Sequence, residues 1–356
     1  MTLFFIGVIK SEHYYSFTTF LFVRVHRLSM SYLKINQYEL LPFNLSAKPI
    51  MQRYLDLLSL DTSDYTFTAN YIWLGAGSGF YTIVDDTFCF FFLTGGELSM
   101  LLPPIGKIEN AIKAIGKCFK LMEENNSFPV NNKIYYVNEE LAAAFINDLE
   151  EGAEIFEPLK DYLVERTLVD YIYDCDDLIG LKGNSYATKR NEINKFKRIH
   201  PTYEVQSLDV SKHSQGIINV VNGWIADRMK YLPTDQTEVF LDGMVSERSA
   251  VKRMLNDYAH LDLVGLVILI EGEIRGFTVG EKINANIASV IIEKTDFEIL
   301  GCAQFIFREF AKMLSREYGV TSLNVGDDMG FENLKKVKMS YRPSRLIPKY
   351  TIYKRY

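Results

Sequence analysis

Metal and disulfide chemistry find little to work with in this chain. Its four cysteines, Cys89, Cys118, Cys175 and Cys302, are dispersed with no CxxC pair, and its five histidines form no HExxH or other paired ligand spacing. Those absences exclude the common zinc frameworks and a disulfide scaffold, so the cysteines read as reduced, buried thiols of a cytoplasmic protein. There is no P-loop, and no Ser-His-Asp or Cys-His set emerges. Long hydrophobic runs are missing too. LFFIGVI (Leu3 to Ile9) and FTTFLFVRV (Phe17 to Val25) are separated by Lys10, Glu12 and His13 and fall short of the roughly 20 apolar residues of a membrane-spanning helix. No positively charged leader or small-residue cleavage site accompanies them, so they read as neither a signal peptide nor an anchor. Met30 opens a segment like an ordinary protein start, and residues 1–30 read as an N-terminal extension or a start-site error.

What is present is a globular composition: 356 residues, 48% hydrophobic and 24% charged, enough for two ordinary cores. The 24 Phe and 22 Tyr suit strand-rich cores and stacking surfaces. Charge is unevenly placed. From Lys335 onward there are eight cations and no acid, although the whole chain is formally −6, which leaves about −14 for the rest. Such an island attracts an anionic group, or it is a solvated helix face with a basic tail. A turn, Gly326-Asp327-Asp328-Met329-Gly330, precedes it. The spacing of Leu334, Val337, Met339 and Tyr341 then predicts a helix from Phe331 to Tyr341 stopped by Pro343, with a closing strand KYTIYKR. A second basic stretch, Lys182 to Arg198, sets six cations against Glu192. On a helix it places Arg190, Asn194 and Lys197 on one face and Ile193, Phe196 and Ile199 on another. It reads as a phosphate-tracking surface or as a solvated amphipathic helix.

Taken in order, the first half predicts a helix over SAKPIMQRYLDLL and a buried hairpin of YTIVDD and FCFFFL around Asp85-Asp86. A strand at SMLLPP, a helix over IENAIKAIGKCFKLMEE, a strand KIYYVN, a helix LAAAFINDL and a strand LVDYIYD follow. The second half predicts a strand TYEVQSLD, a helix SQGIINVVNGWIADRMK and a helix SERSAVKRMLNDYAHL capped by Ser246. Strands LVGLVILIEG, EIRGFTVGEKI and ASVIIEKT, the helix ILGCAQFIFREFAKMLSREYG, the strand SLNVG, the basic helix and the closing strand complete it.

Two motifs carry a resemblance. Asn324, Asp327, Asp328 and Gly330, then Leu334, Lys335, Lys338, Ser340, Tyr341 and Pro343, with Lys349 and Tyr350 on the closing strand, resemble the C-terminal domain family of phosphatidylglycerol lysyltransferases. LKGNSYATKRNEINKF, Leu181 to Phe196, resembles that family's Lys-Gly-x-x-Tyr-x-x-Lys-Arg-Asn-x-x-Asn-x-Phe signature. The order of elements in the second half is that of the Gcn5-related N-acyltransferase (GNAT) fold. The implied fold class is therefore α/β with tandem GNAT-like domains and mixed, mainly antiparallel sheets, related to the Fem-type aminoacyltransferases. The expected domains are 31–200, ending in the basic linker helix, and 201–356.

The resemblance implies a transferase that moves an aminoacyl group from aminoacyl-tRNA to a lipid or amine acceptor, with no bound cofactor or metal. Acyl-CoA is the alternative donor. A non-catalytic module for RNA or anionic lipid is the second alternative. In GNAT acetyltransferases an Arg/Gln-x-x-Gly-x-Gly/Ala loop at a helix N-terminus cradles the pyrophosphate of coenzyme A. Here the equivalent TDFEILGCAQ keeps Gly301-Cys302-Ala303 but has Glu298 where a cation or amide is wanted, Asp296 adds more negative charge, and the bland role of Gly301 is tight packing of the helix start. Transfer from an activated ester needs positioning, a base and oxyanion donors. The catalytic candidates are Glu281, Glu293 and Asp328. If Glu281 and Glu293 share the open centre of the sheet, one binds the substrate ammonium and the other is the base. Otherwise both are exposed strand ends beside Lys282 and Lys294, and Asp327 or Asp328 is a helix cap. The substrate-binding candidates on the first basic helix are Lys189, Arg190, Asn191 and Asn194. Trp224 and Arg228 resemble a Trp-x-x-x-Arg stretch that the family places near its substrate, with a core role as the plainer reading of Trp224. Asn324, Asp327, Lys335, Lys338 and Tyr341 come from the C-terminal motif. Full-length lysyltransferases carry a multi-helix membrane region that this chain lacks. The expected partners are aminoacyl-tRNA and an anionic lipid head group, with no stable membrane insertion, in a cytoplasmic protein peripheral at the inner membrane surface.

Overall fold

The computed structural model describes residues 32–74, 77–146, 161–230 and 237–355; the expected extension 1–30 lies outside them. Strands β1 (Leu33–Ile35), β2 (Tyr38–Pro42), β3 (Ser78–Val84), β4 (Thr87–Thr94) and β5 (Glu97–Ser99) form an antiparallel five-stranded sheet in chain order. The β3–β4 hairpin turns at Asp85 and Asp86, both with positive φ, as a two-residue turn whose twist matches the strands. Helices α1 (Lys48–Leu55), α2 (Phe67–Ile72) and α3 (Ile108–Asn125) flank this sheet. Thr66 caps α2 by accepting the Ala69 amide. The apolar stripe of α3, including Ile115, Cys118, Phe119 and Met122, packs on Cys89 and Phe91. SMLLPP is not the strand expected: β5 stops at Ser99, and Met100 makes one bridge to Ile134, which joins this sheet to the next.

The second sheet has eight strands in the order β6-β13-β7-β12-β11-β10-β9-β8. In chain order its elements are β6 (Lys133–Val137), α4 (Glu139–Ile146), β7 (Tyr162–Asp174), α5 (Cys175–Gly180), α6 (Ala187–Ile199), β8 (Glu204–Ser207), α7 (Val210–Lys230) and α8 (Thr237–Asp257). They continue with β9 (Leu263–Ile270), β10 (Glu273–Lys282), β11 (Ile287–Thr295), α9 (Cys302–Tyr318), β12 (Ser322–Asn324), α10 (Glu332–Met339) and β13 (Arg345–Lys354). The closing strand β13 lies between β6 and β7. Helices α7 and α8 cover one face through Val221, Val251, Val267, Phe277 and Ile292, in a core shared with Phe43, Phe88 and Phe90. Helix α9 covers the other with Phe307, Phe310 and Leu314 against Ala288, Val290 and Leu323. Residues on both sides of position 200 thus share one sheet and one core, and a division there separates neither. Helix α8 starts at Thr237, so Ser246 is inside it and caps nothing.

Two irregularities shape the sheet. The register of β10 on β11 shifts between Val279 and Gly280, which leaves Ile291 without an opposite residue, a β-bulge. Gly280 is required there, since a Cβ would lie 2.1 Å from the Ser289 carbonyl oxygen. The other is a fork: β11 and β12 run parallel and pair only from Ile287–Ser322 to Ser289–Asn324, after which β11 continues to Thr295 while β12 ends.

Candidate functional site

The C-terminal motif folds beside this fork around two buried lysines. Lys338, on the inner face of α10, is wholly buried, and its Nζ donates to the carbonyls of Val325 (2.6 Å), Gly326 (3.1 Å) and Asp327 (2.5 Å). Burial, partly offset by Asp327 and Asp170, lowers its pKa to about 8. Lys349, on β13, meets Asp64, Asp170 at 2.6 Å and Asp327 at 2.9 Å. Burial opposes its charge, but Asp170, Asp327 and Asp64 overcome it and hold its pKa well above the usual lysine value. Burial pushes Asp64 up to about 7 against the pull of Lys349. Asn324 completes the cluster by donating to Asp170 Oδ2 (2.8 Å) and the Asp61 carbonyl (2.7 Å). Asp327 and Asp328 are not caps of α10. Their Oδ1 atoms accept the amides of Met329 and Gly330 inside the turn, and Asp328 Oδ2 accepts the Tyr171 hydroxyl at 2.5 Å. Asp328 and Tyr171 open onto a cavity of about 520 Å³ that Phe331 and the exposed Lys335 also line.

Glu281 and Glu293 are buried rather than exposed strand ends, at 5% and 1% accessibility. They do not share the sheet's centre. Glu281 lies toward α2, beside Thr66, Thr68 and Lys48, whereas Glu293 lies toward α9 and Tyr341, where burial raises the thiol of Cys302 and the phenol of Tyr341 and the nearby Glu293 adds to it. The bulge at Ile291 places the two acids on opposite faces of β11 and β10, so one substrate atom cannot meet both. Burial raises Glu281 to about 7, against Thr66 and Thr68, and Glu293 to about 8, against Lys294. Neither carboxyl oxygen of Glu293 has a hydrogen-bond partner among the described residues.

Helix α6 splits its expected site residues. Lys189 is buried, with its ammonium 4.2 Å from the Tyr341 ring centre. Arg190 folds back onto the carbonyls of Leu181 and Gly183, the latter at 2.6 Å, and so clamps the turn before the helix. Asn191, Asn194, Lys195 and Arg198 are exposed on the outer face. Ile199, expected on the apolar face, is 49% exposed. Trp224 is buried with Lys294 Nζ 4.1 Å and the Arg228 guanidinium 5.6 Å from its ring centre, and Lys294 pairs with Glu247 at 2.6 Å. This group stands on the α7–α8 face, apart from the C-terminal turn. The start of α9 packs closely on α6: Gly301 has φ +80°, and a Cβ there would lie 2.2 Å from the Glu192 carbonyl oxygen, and beside it lies a cavity of about 190 Å³ lined by Glu192, Lys195, Asp296 and Gly301 among others. Phe196 stacks on Phe305 (4.7 Å) to hold the two helices together.

The family model for the C-terminal domain of phosphatidylglycerol lysyltransferase matches residues 55–353. The chain belongs to this family. A crystal structure of a conserved protein of unknown function from Bacteroides thetaiotaomicron is 26% identical with a TM-score of 0.70, over 88% of this chain and 98% of that one. The C-terminal domain assigned to a lysylphosphatidylglycerol synthetase of Agrobacterium fabrum is 14% identical with a TM-score of 0.59, over 87% and 92% of the two chains. L-PGS from Bacillus licheniformis is 15% identical with a TM-score of 0.57, over 86% and 91%. An uncharacterised protein of Mycoplasmoides gallisepticum is 26% identical over 60% of this chain; the match spans 65% of that protein's length. This lysyltransferase-family chain has an α/β fold of mixed and antiparallel sheets, which it shares with these structures.

Sequence reasoning missed several partners that this lysyltransferase-family domain brings together. Asp170 and Tyr171 lie in LVDYIYD, where an acid inside an apolar strand was the available signal. Glu247 and Lys294 come from separate elements, and no local pattern links them. Asp64 sat in an acidic loop with nothing to single it out.

Proposed function

We propose that the domain transfers an aminoacyl group from aminoacyl-tRNA to a lipid or amine acceptor, without a resident cofactor. The observation that carries this reading is the seating of α6 on the start of α9. The pyrophosphate of an acyl-CoA needs open backbone amides there, and here the Glu192 carbonyl packs on Gly301 while the small cavity beside it sets Glu192 and Asp296 against the single cation Lys195, a balance that disfavours a pyrophosphate. The same helix turns Lys195 and Arg198 outward, and with Lys335 they give the phosphates of a tRNA arm cationic footholds on a net acidic protein. Glu293 is the base that takes the proton from the attacking hydroxyl or amine and passes it to the departing 3′ oxygen, a role suited to a carboxyl titrating near neutrality. No described helix is long and apolar enough to cross a membrane; the basic faces bring the domain to the cytoplasmic surface of the membrane as a peripheral protein.

The test incubates the purified chain with radiolabelled aminoacyl-tRNAs and total cell lipid, followed by partition between organic and aqueous phases. Label entering the organic phase supports a lipid acceptor, and label on an added amine supports a soluble one. Retention of all label on tRNA, together with release of free coenzyme A from acyl-CoA, would overturn the donor assignment.

A further inference from the structure

We propose that the turn from Gly326 to Asp328 is the oxyanion hole of the transfer: the amide N–H groups of Asp327 and Asp328 receive the ester oxygen as it gains charge, with Lys338 as the positioning residue. The inference rests on the aminoacyl-transfer reading. Its basis is the way the turn's peptide groups are used. Lys338 Nζ draws the carbonyls of Val325, Gly326 and Asp327 toward itself. In a planar trans peptide the N–H points opposite to the C=O. The amides that follow Gly326 and Asp327 therefore point away from Lys338, side by side.

The neighbouring donors are all engaged. Val325 N–H goes to the Tyr171 carbonyl, Gly326 N–H to Asn324 Oδ1, Met329 N–H to Asp327 Oδ1, Gly330 N–H to Asp328 Oδ1, and Phe331 N–H to the Asp328 carbonyl. The amides of Asp327 and Asp328 alone in this run have no acceptor among the described residues. Both residues are only 8% exposed, and unpaired donors at that depth are rare unless something else binds them. The turn's own acids do not claim them either, because Asp327 Oδ2 faces Lys349 and Asp328 Oδ2 faces the Tyr171 hydroxyl. An ammonium on the carbonyl side also polarises the peptides and strengthens their N–H donors.

In the step this supports, the acceptor oxygen or nitrogen bonds to the ester carbon, and the carbonyl's π electrons move onto its oxygen and into the two amides. They return as the bond to the tRNA 3′ oxygen breaks. The acceptor's proton leaves with that oxygen, and nothing is oxidised or reduced.

The experiment compares the full chain with Lys338→Met and Lys338→Arg in single-turnover transfer, in aminoacyl-tRNA binding, and in amide spectra with a phosphonate monoester of adenosine that mimics the tetrahedral intermediate. Lys338→Met is expected to bind aminoacyl-tRNA within about twofold of the parent but to transfer roughly 10²–10³-fold more slowly, the usual loss when an oxyanion donor is removed; Lys338→Arg recovers most of the rate. The phosphonate is expected to move the Asp327 and Asp328 amide protons downfield in the parent and not in Lys338→Met. Parental transfer by Lys338→Met, or phosphonate binding that leaves both amides in place, would overturn the inference. If the parent transfers nothing from tRNA while the phosphonate still moves both amides, the donor reading fails and the anion-binding turn is upheld.

Discussion

Between the five-stranded sheet and α3 the core is built from Phe91, Cys89, Ile115, Phe119 and Met122 and contains no charged side chain. The eight-stranded sheet, its helices and the turn before α10 hold every buried Asp, Glu and Lys among the described residues, among them Asp170, Glu281, Glu293, Lys294, Asp327, Lys338 and Lys349. An apolar core is satisfied by volume and shape, and similar residues replace one another at modest cost. A buried charge is stable only with partners in place, and one without partners shifts its titration instead. The first region therefore behaves as a scaffold, whereas the second retains costly groups, on which the proposed transfer is built. Within the second region the same contrast recurs, between a lysine that three carboxylates surround and a glutamate with neither oxygen bonded.

The largest expected effect comes from breaking the satisfied cluster. Lys349→Met leaves Asp64, Asp170 and Asp327 facing one another, and urea denaturation is expected to show a loss of about 3–5 kcal/mol; undiminished stability would mean the three acids need no cation. Glu293→Gln sharpens the other side. Its transfer rate is expected to fall roughly 10²–10⁴-fold, the range for removal of a general base, with the fold intact. Because the folded pKa of Glu293 is raised from 4.5 to about 8, folding favours its protonated form. Its contribution to stability is fully present below about 4.5 and is lost as pH rises through about 8. Thermal melts across that window should flatten in Glu293→Gln, and a parent-like slope would move the titration elsewhere. A smaller effect is expected for Lys195→Ala with Arg198→Ala: weaker aminoacyl-tRNA binding, with the slope of log affinity against log salt reduced by about one per charge. Unchanged salt dependence would remove α6 from the RNA surface. Smallest is Ile115→Val in the apolar core, at about 0.5–1.5 kcal/mol in denaturation and no change in transfer rate. A drop in rate there would erase the distinction between the two regions.

How much could be read in advance depended on whether the cause was local. The Asp85-Asp86 hairpin, the stripe of α3 and the helix of the basic C-terminal motif were legible because turn chemistry and a 3.6-residue period act over a few positions. SMLLPP was misread because an apolar run ahead of two prolines looks like a strand whether or not another strand accepts its hydrogen bonds. Ser246 was misread because a polar residue before a helical pattern resembles a cap even when the helix extends further back. The candidate site was legible as a set of residue types, but the roles of its members were not. Lys338 and Arg190 read as ligand cations, and both spend hydrogen bonds on backbone carbonyls.

What the sequence determined by itself is the family, through two ordered motifs that need no coordinates, together with the element order and the two basic islands. Tertiary structure alone decided that β13 returns to lie between β6 and β7, which carries Lys349 to Asp64, Asp170 and Asp327. It also decided that one bulged residue, Ile291, turns Glu281 and Glu293 to opposite faces. The physical reason is the same in both cases. Strand pairing and register join residues far apart in the chain, and a shift of one residue exchanges the faces of a sheet, so neither outcome is written in the local pattern of side chains.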